Sequence, residues 1–140
     1  MAKVKWPKAK GSKAERELFH MLWNEGWAVV RAAGSGSTPL DAPDLIAGNG
    51  KRYLAIECKA IRAHKKYFPN EEIDQITKFA KLFGAEPWVG VRFDNEGWYF
   101  IPASKIPKSK GKHFLVSLEF AKKSGLSFDE LVGKYRQKRL

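Results

Sequence analysis

Apolar side chains recur with helical spacing in two stretches of the chain. In residues 12–25 they return every three or four positions, and Gly26 follows as a residue type that commonly ends a helix. The same spacing returns in residues 71–83, again followed by a glycine, Gly84. The pattern therefore predicts two amphipathic helices, one near the start of the chain and one at its middle.

Short apolar runs predict β-strands in the rest of the chain. Two of these runs are separated by Asn49-Gly50, which strongly favours a tight hairpin turn. Another pair flanks residues 94–97 and predicts a second hairpin, while Ser127 and Glu130 match a capping box that opens a last short helix. The predicted strands are Trp27–Arg31, Asp44–Ala47, Arg52–Lys59, Pro87–Phe93, Trp98–Ile101 and Phe114–Val116.

The order of these elements is typical of a mixed α/β domain built on one central sheet. A chain of 140 residues has the size of a single domain. We predict a flexible basic arm at residues 1–11, one folded domain at 12–133 and a basic C-terminal tail at 134–140. Residues 32–43 are expected to form an irregular loop, and residues 60–70 a polar, basic connection without a strand.

Positive charge is concentrated in three short segments. The chain carries 26 Lys and Arg against 15 Asp and Glu, a net charge of +11. Residues 1–13, 105–112 and 134–139 hold thirteen of the basic residues and no acidic one. Such segments favour a polyanionic partner, with nucleic acid ahead of an anionic membrane. For any one segment, a purely solubilising role is the competing explanation.

The sequence also excludes several classes of protein. No apolar run is long enough to span a membrane, and the first residues lack the apolar core of an export signal. A single cysteine cannot form an internal disulfide, and the three histidines are too scattered for a zinc site. We therefore expect a soluble cytoplasmic protein, associated with the nucleoid if it binds DNA, whose metal ligands would be oxygen atoms.

Two carboxylates and an ammonium group converge at one end of the first predicted hairpin. Side-chain alternation places Glu57 and Lys59 on the same face of their strand. Pairing around Asn49-Gly50 brings Asp44 back beside them. Convergent carboxylates repel each other unless a cation lies between them. A hard divalent ion, Mg²⁺ with Mn²⁺ as a substitute, would fit and would support phosphodiester hydrolysis, with Lys59 orienting water or stabilising the transition state.

Glu15 is the candidate for a third carboxylate. Ser12 and Glu15 match a capping box, in which the glutamate would only satisfy the start of the first helix. At about 100° per residue, however, Glu15 falls inside the apolar arc of that helix, where a capping role does not require it. We favour the catalytic interpretation, in which Glu15 reaches the metal from the side opposite the hairpin.

Two further groups of residues suggest binding surfaces. Arg31, Ser35 and Ser37 belong to residue types that contact phosphate, although a solvated turn explains each serine alone. The second helix has an apolar arc wider than docking on one sheet requires. We expect the part of this arc that the sheet leaves uncovered to be buried against a second copy of the chain. On the same helix, Gln75 either assists the metal site or bonds to backbone. The predicted interface residues are Phe79, Leu82 and Phe83.

Taken together, Pro43-Asp44, twelve intervening residues and Glu57-Cys58-Lys59 resemble the PD-(D/E)xK nuclease core. The sequence that flanks this motif makes the resemblance more specific. The segments KGSKAEREL at 10–18, AVVRAAGS at 28–35, DLIAGNG at 44–50 and IECK at 56–59 are similar to the archaeal-type Holliday junction resolvases. The similarity extends from about residue 10 to 101 and weakly to the end. The loop at 36–43 and the arm at 1–10 are longer than in the shortest members.

This resemblance implies a restriction-endonuclease-like α/β domain with a central mixed β-sheet flanked by helices. It also implies a homodimer that binds four-way DNA and nicks two opposing strands with Mg²⁺. The implied metal ligands are Glu15, Asp44, Glu57 and the backbone carbonyl of Cys58, with Lys59 assisting the nucleophile and Ser35 in a mobile catalytic loop. The implied DNA contacts are Lys10, Arg16, Arg31, Ser37, Arg62, Lys65 and Lys66, and the implied dimer contacts include Phe79 and Phe83.

Three other functions stay open at this point. The chain could be another PD-(D/E)xK nuclease that cuts duplex or damaged DNA, which only a panel of substrates would distinguish. It could be an architectural dimer that binds junctions without cutting, although pure binding gains nothing from carboxylates near phosphate. An RNA-binding module is weaker, since no RNP-like motif is present, although aromatic residues such as Tyr67 and Phe68 could stack on bases. A replication or repair protein that binds the tail is a further partner that the sequence does not identify.

Overall fold

The computed structural model describes residues 9–32, 42–107 and 111–134, with side chains from residue 13 onward. The helices are α1 (Ala9–Asn24), α2 (Asn70–Phe83), α3 (Leu118–Ser124) and α4 (Phe128–Leu131). The strands are β1 (Ala28–Arg31), β2 (Leu45–Gly48), β3 (Tyr53–Ile61), β4 (Lys65–Pro69), β5 (Glu86–Phe93), β6 (Gly97–Pro102) and β7 (His113–Ser117). A short 3₁₀ turn, Ala103–Lys105, follows β6.

Five strands form a mixed central sheet in the order β1-β2-β3-β5-β6. Neighbouring strands are antiparallel except for β3 and β5, which run parallel. Parallel strands need a long crossover, and α2 lies within the segment that supplies it. The remaining strands, β4 and β7, pair separately as an antiparallel ribbon. The mixed sheet and its flanking helices confirm the predicted fold class.

The core has two halves, one on each face of this sheet. Alternation along β3 sends Leu54 and Ile56 towards the half that contains buried residues of α1 and α4. It sends Ala55 and Ile61 towards the other half, which contains buried residues of α2 and of the β4–β7 ribbon. Glu57 and Lys59 share the face of Ala55, so they point to the α2 side of the sheet.

The predicted hairpins are present, but three other features of the sequence-based prediction are wrong. Helix α1 begins at Ala9, which leaves Ser12 inside the helix and removes the proposed capping box with Glu15. Residues 65–69 form β4 because their backbone pairs with β7, a partner too distant in sequence for a local pattern to reveal. Helix α3 was also missed, although Ser117 caps it by accepting a hydrogen bond from the Phe120 amide at 3.0 Å.

Several predicted features lie outside the described residues. These are most of the N-terminal arm, the C-terminal tail beyond residue 134, and loop residues 33–41, which include Ser35 and Ser37. The side chain of Lys10 also lies outside them. Within the described ranges, no helix combines the length and apolar character that a membrane span requires.

Candidate active site

The β2–β3 hairpin brings Asp44 and Glu57 together. Leu45 pairs with Ile56, so the residues one step further along, Asp44 and Glu57, face each other at the open end of the hairpin. The turn that sets this register contains Gly50 at φ 93°. The Asp44 side chain is also held in place, because its Oδ2 atom accepts a hydrogen bond of 2.8 Å from the Cys58 amide.

These carboxylates line a cleft between the hairpin and α2. Its volume is about 150 Å³. Pro43 and Ala42 form one side of the cleft, and the first two turns of α2, which include Gln75, form the other. This location favours the prediction that Gln75 belongs to the site. The cleft is lined by Ala42, Pro43, Asp44, Glu57, Glu72, Gln75 and Ile76.

Lys59 is held beside the cleft by two glutamates. Its Nζ atom lies 2.7 Å from Oε1 of Glu72 and 3.6 Å from Oε2 of Glu57. The ammonium group also lies 4.9 Å from the centre of the Phe68 ring. Glu72 was not predicted as a site residue. Its spacing of three residues from Gln75 on a helix, which puts both side chains on one face, was the signal that could have identified it.

Glu15 approaches the same carboxylates from α1. Its Oε1 atom accepts a hydrogen bond of 2.9 Å from Nη2 of Arg31, and the pair is partly buried. The negative charge of Glu15 and a hydrogen bond to it both raise the pKa of Asp44. The structure thus brings Glu15 next to Asp44, while Arg31, predicted to contact phosphate, is engaged with Glu15. Within the described residues, the buried Nε atom of Arg31 has no hydrogen-bond partner.

The two hairpin carboxylates carry more negative charge than their surroundings neutralise. The pKa of Asp44 is raised to about 6, chiefly by burial and further by the charge of Glu15. The hydrogen bond from the Cys58 amide lowers this pKa but is outweighed. Burial, and then the charge of Asp44, raise the pKa of Glu57 to about 8. Burial lowers the pKa of Lys59, but the hydrogen bond to Glu72 and the charge of Glu57 outweigh it, so the net shift is upward.

The oxygen-rich donor set fits a hard divalent cation. A bound cation would favour the ionised carboxylates, which are disfavoured without it. Within the described parts of the chain, no three His, Cys, Asp or Glu side chains are gathered closely enough to enclose an ion. The fit therefore rests on the Asp44–Glu57 pair. The Cys58 thiol faces the α1 side of the sheet, and burial keeps its pKa well above the ordinary value, which disfavours the thiolate that metal binding requires.

Most of the described basic residues proposed for DNA binding are exposed. Arg16 lies on the solvent side of α1, and Arg62 lies in the turn after β3. Lys65 and Lys66 follow on β4 and are exposed as well. Arg62 and the two lysines follow directly on β3, the strand that carries Glu57 and Lys59, and the structure leaves all four residues accessible to a polyanion.

An apolar surface continues from α2 onto the uncovered part of the sheet. Leu82 and Phe83 are 82% and 54% exposed, and Phe83 stacks on Phe79 with ring centres 5.5 Å apart. Sequence reasoning missed two exposed residues on the same sheet face, Val30 on β1 and Tyr53 on β3. Strand alternation was the signal available for them, since both lie on the face that α2 covers only in part.

Comparison with known proteins gives a consistent result. A sequence model of the archaeal Holliday junction resolvase (Hjc) family matches residues 7–140. The crossover junction endodeoxyribonuclease Hjc of Archaeoglobus fulgidus is 39% identical over 132 residues, covering 94% of this chain and 96% of that protein. The Hjc of Methanocaldococcus jannaschii is 34% identical over 128 residues, which cover 91% of this chain and 90% of that protein.

A solved structure agrees with the sequence comparisons. The crystal structure of Archaeoglobus fulgidus Hjc, described as a Holliday junction resolvase from an archaeal hyperthermophile, superposes with a TM-score of 0.81. That alignment has 35% sequence identity and covers 92% of this chain and all of the other. The similarity therefore includes the fold and extends over nearly the whole of this chain.

Proposed function

The chain belongs to the archaeal Holliday junction resolvase family and is a crossover junction endodeoxyribonuclease; we propose that Asp44, Glu57 and Lys59 form its catalytic centre. The enzyme acts on branched DNA, and its family consists of metal-dependent endonucleases. The observation that carries the proposed centre is that Asp44 and Glu57, one step beyond the last pair of the hairpin, line a cleft together beside Lys59. We also propose that the protein works in the cytoplasm, associated with the nucleoid, because its substrate is DNA.

Asp44 and Glu57 would hold the metal, with Glu15 and the Cys58 carbonyl completing the set. We propose Mg²⁺, with Mn²⁺ as a substitute, because hard oxygen ligands select such ions. When bound, the ion would stabilise charge that develops on the phosphate and lower the pKa of water. The chain's own contribution is to fix Asp44 through the Cys58 amide, so that one carboxylate is oriented before DNA binds.

Lys59 supplies a positive charge directed at the cleft. Glu72 orients its ammonium group, and the hydrogen bond to Glu72 together with the charge of Glu57 raises the pKa of Lys59, which keeps it protonated. In this state Lys59 can donate hydrogen bonds to water or to a phosphate oxygen, but it cannot accept a proton. We therefore assign it the role of orienting the nucleophile and stabilising charge, and we assign Glu72 the role of positioning Lys59.

A dimer with twofold symmetry explains paired incision. We propose that Phe79, Leu82 and Phe83 bury against the same residues of a second copy, together with Val30 and Tyr53. Two identical sites then meet a junction that is itself approximately twofold symmetric, so one cut on each of two opposing strands follows. We propose that Ser35 belongs to the catalytic loop. The residues that we propose to position the DNA are Lys10, Arg16, Arg31, Ser37, Arg62, Lys65 and Lys66.

A cleavage assay tests both the activity and its location. Labelled four-way junction, matched duplex and single strand are incubated with Mg²⁺ and the wild type, Glu57→Gln or Glu119→Gln, the last an exposed matched control on α3. We expect symmetric paired nicks in the junction alone, lost in Glu57→Gln with junction binding kept, and unchanged in the control. Cleavage of plain duplex would indicate a general nuclease, and tight junction binding without a nick would indicate an architectural dimer.

A further inference from the structure

The β4–β7 ribbon is a basic element joined directly to the catalytic strand. Here the ribbon means residues 62–69 and 111–117, which include β4, β7 and the turn from β3. These residues contain Arg62, Lys65, Lys66 and Lys112 and no Asp or Glu. The ribbon begins immediately after Ile61, the last residue of β3. Its charge therefore suits a polyanion that reaches the site along this edge of the molecule.

The ribbon is anchored to the catalytic centre through Phe68. The ammonium groups of Lys59 and Lys66 lie 4.9 and 5.7 Å from the centre of this one ring. The two cations are consequently no more than about 11 Å apart, so one DNA strand can contact both within a few nucleotides. A strand whose phosphate lies at Lys59 thus passes the ribbon within a few nucleotides.

Tyr67 is the exposed aromatic residue of this ribbon. Phe68 is buried and packs against Phe114, whereas alternation turns Tyr67 to the outer face, where it is 62% exposed. Lys65 shares this outer face with Tyr67, whereas Lys66 lies on the face of Phe68. Tyr67 itself lies opposite Leu115 of β7. An exposed aromatic ring on a basic element is an arrangement with which proteins bind unpaired nucleotides, because the ring stacks on a base while neighbouring cations neutralise phosphates.

We propose that Tyr67 stacks on a base left unpaired at the branch point of the DNA, while Lys65 and Lys66 contact the adjoining phosphates. The inference deepens the proposed junction-cutting function and rests on it. An aromatic ring can stack on a base only after that base has lost its stacking on the neighbouring base. A branch point provides unstacked bases, whereas continuous duplex does not. Tyr67 is thus a specificity residue that favours branched DNA, and not a catalytic residue.

Binding measurements in EDTA test this proposal without cleavage. Tyr67→Ala should weaken binding to the four-way junction by about 10-fold and binding to duplex by less than about 2-fold. Tyr67→Phe, which keeps the ring, should bind like the wild type. Trp23→Ala is the matched control, because Trp23 is also an exposed aromatic but lies at the far end of α1. Equal losses for Tyr67→Ala and Trp23→Ala, or no loss for either, would overturn the proposal, as would a Tyr67→Phe variant as weak as Tyr67→Ala.

The salt dependence separates stacking from phosphate contact. Tyr67→Ala should leave the slope of log affinity against log salt unchanged, whereas Lys66→Ala should reduce its magnitude by about one. A reduced slope for Tyr67→Ala would mean that the substitution acts by displacing the lysines, which contradicts stacking. Thermal melting of each variant verifies that the exposed substitutions leave the fold intact.

Photocrosslinking identifies the base and distinguishes the two proposals. Junctions carry 5-iodouracil either at the branch point or at the end of an arm, and the crosslinked residue is read by mass spectrometry. We expect Tyr67 to crosslink to the branch-point base and not to the arm end. A crosslink only at the arm end, or none at Tyr67, would refute the stacking. If this crosslink forms but the wild type never nicks junctions in Mg²⁺, the stacking stands and the proposed nuclease function fails.

Discussion

At the scale of single residues, Glu57 makes the metal-free protein less stable as the pH rises. The unfolded chain releases the proton of this residue near pH 4.5, whereas the folded protein keeps it up to about pH 8. Between these values the folded state binds more protons, so each increase in pH favours unfolding. Asp44 acts in the same direction between pH 3.8 and about 6.

We therefore predict that Glu57→Gln stabilises the metal-free protein at pH 8, by roughly 2–4 kcal/mol, because the amide carries no charge to bury. Near pH 4 the difference from the wild type should vanish. Urea denaturation in EDTA at several pH values measures the effect, and saturating Mg²⁺ should reduce it by stabilising only the wild type. Parallel stability profiles for the two proteins would contradict the assigned burial of charge.

Glu72 offers a second prediction, because it touches Lys59 and lines the cleft without being a proposed metal ligand. Glu72→Gln keeps the side-chain shape and removes the charge that orients the ammonium group. We expect kcat to fall by about 10-fold with little change in KM, since positioning affects the transition state more than binding. Single-turnover cleavage measures this, with Glu71→Gln, an exposed neighbour on α2, as the control. A rise in KM alone would assign Glu72 to DNA binding instead.

At the scale of the element, the β2–β3 turn determines which side chains meet. Gly50 has φ 93°, and nothing lies within 4 Å of where a Cβ atom would be. Gly50→Ala should therefore destabilise the protein by about 1–2 kcal/mol through backbone strain alone. Chemical denaturation measures it, with Lys51→Ala in the same turn expected to change little. An alanine variant as stable as the wild type would show that the turn relaxes to another conformation.

This hairpin also explains which parts of the site could be predicted. Alternation and an Asn-Gly turn are local signals, and they were sufficient to place Asp44 beside Glu57. Glu72 was missed because its approach to Lys59 depends on where a crossover helix docks on the sheet. Strand β4 was missed for a related reason, since its partner β7 is distant in sequence and its lysines resemble a loop. The positions of Glu72 and β4 therefore depend on contacts between segments distant in sequence, which local sequence patterns do not reveal.

At the scale of the whole molecule, the exposed apolar surface of α2 predicts the oligomeric state. Leu82→Glu should convert a dimer into a monomer of 15.9 kDa, because a charge would be buried at a self-complementary interface. Sedimentation equilibrium measures the mass. Thr77→Glu, which adds the same charge elsewhere on α2, should leave the dimer intact. A wild type that sediments as a monomer at micromolar concentration would refute the interface.

The mixed sheet has a kinetic consequence for the site. The β2–β3 hairpin closes a short loop, whereas the parallel pairing of β3 with β5 has to wait for a long crossover to be ordered. A hairpin formed early would bring Asp44 and Glu57 together before α2 delivers Glu72 and completes the burial. Their repulsion would then oppose the folding reaction itself, and a divalent cation should speed refolding more than it slows unfolding. The ion that serves hydrolysis in the finished enzyme would also assist its folding.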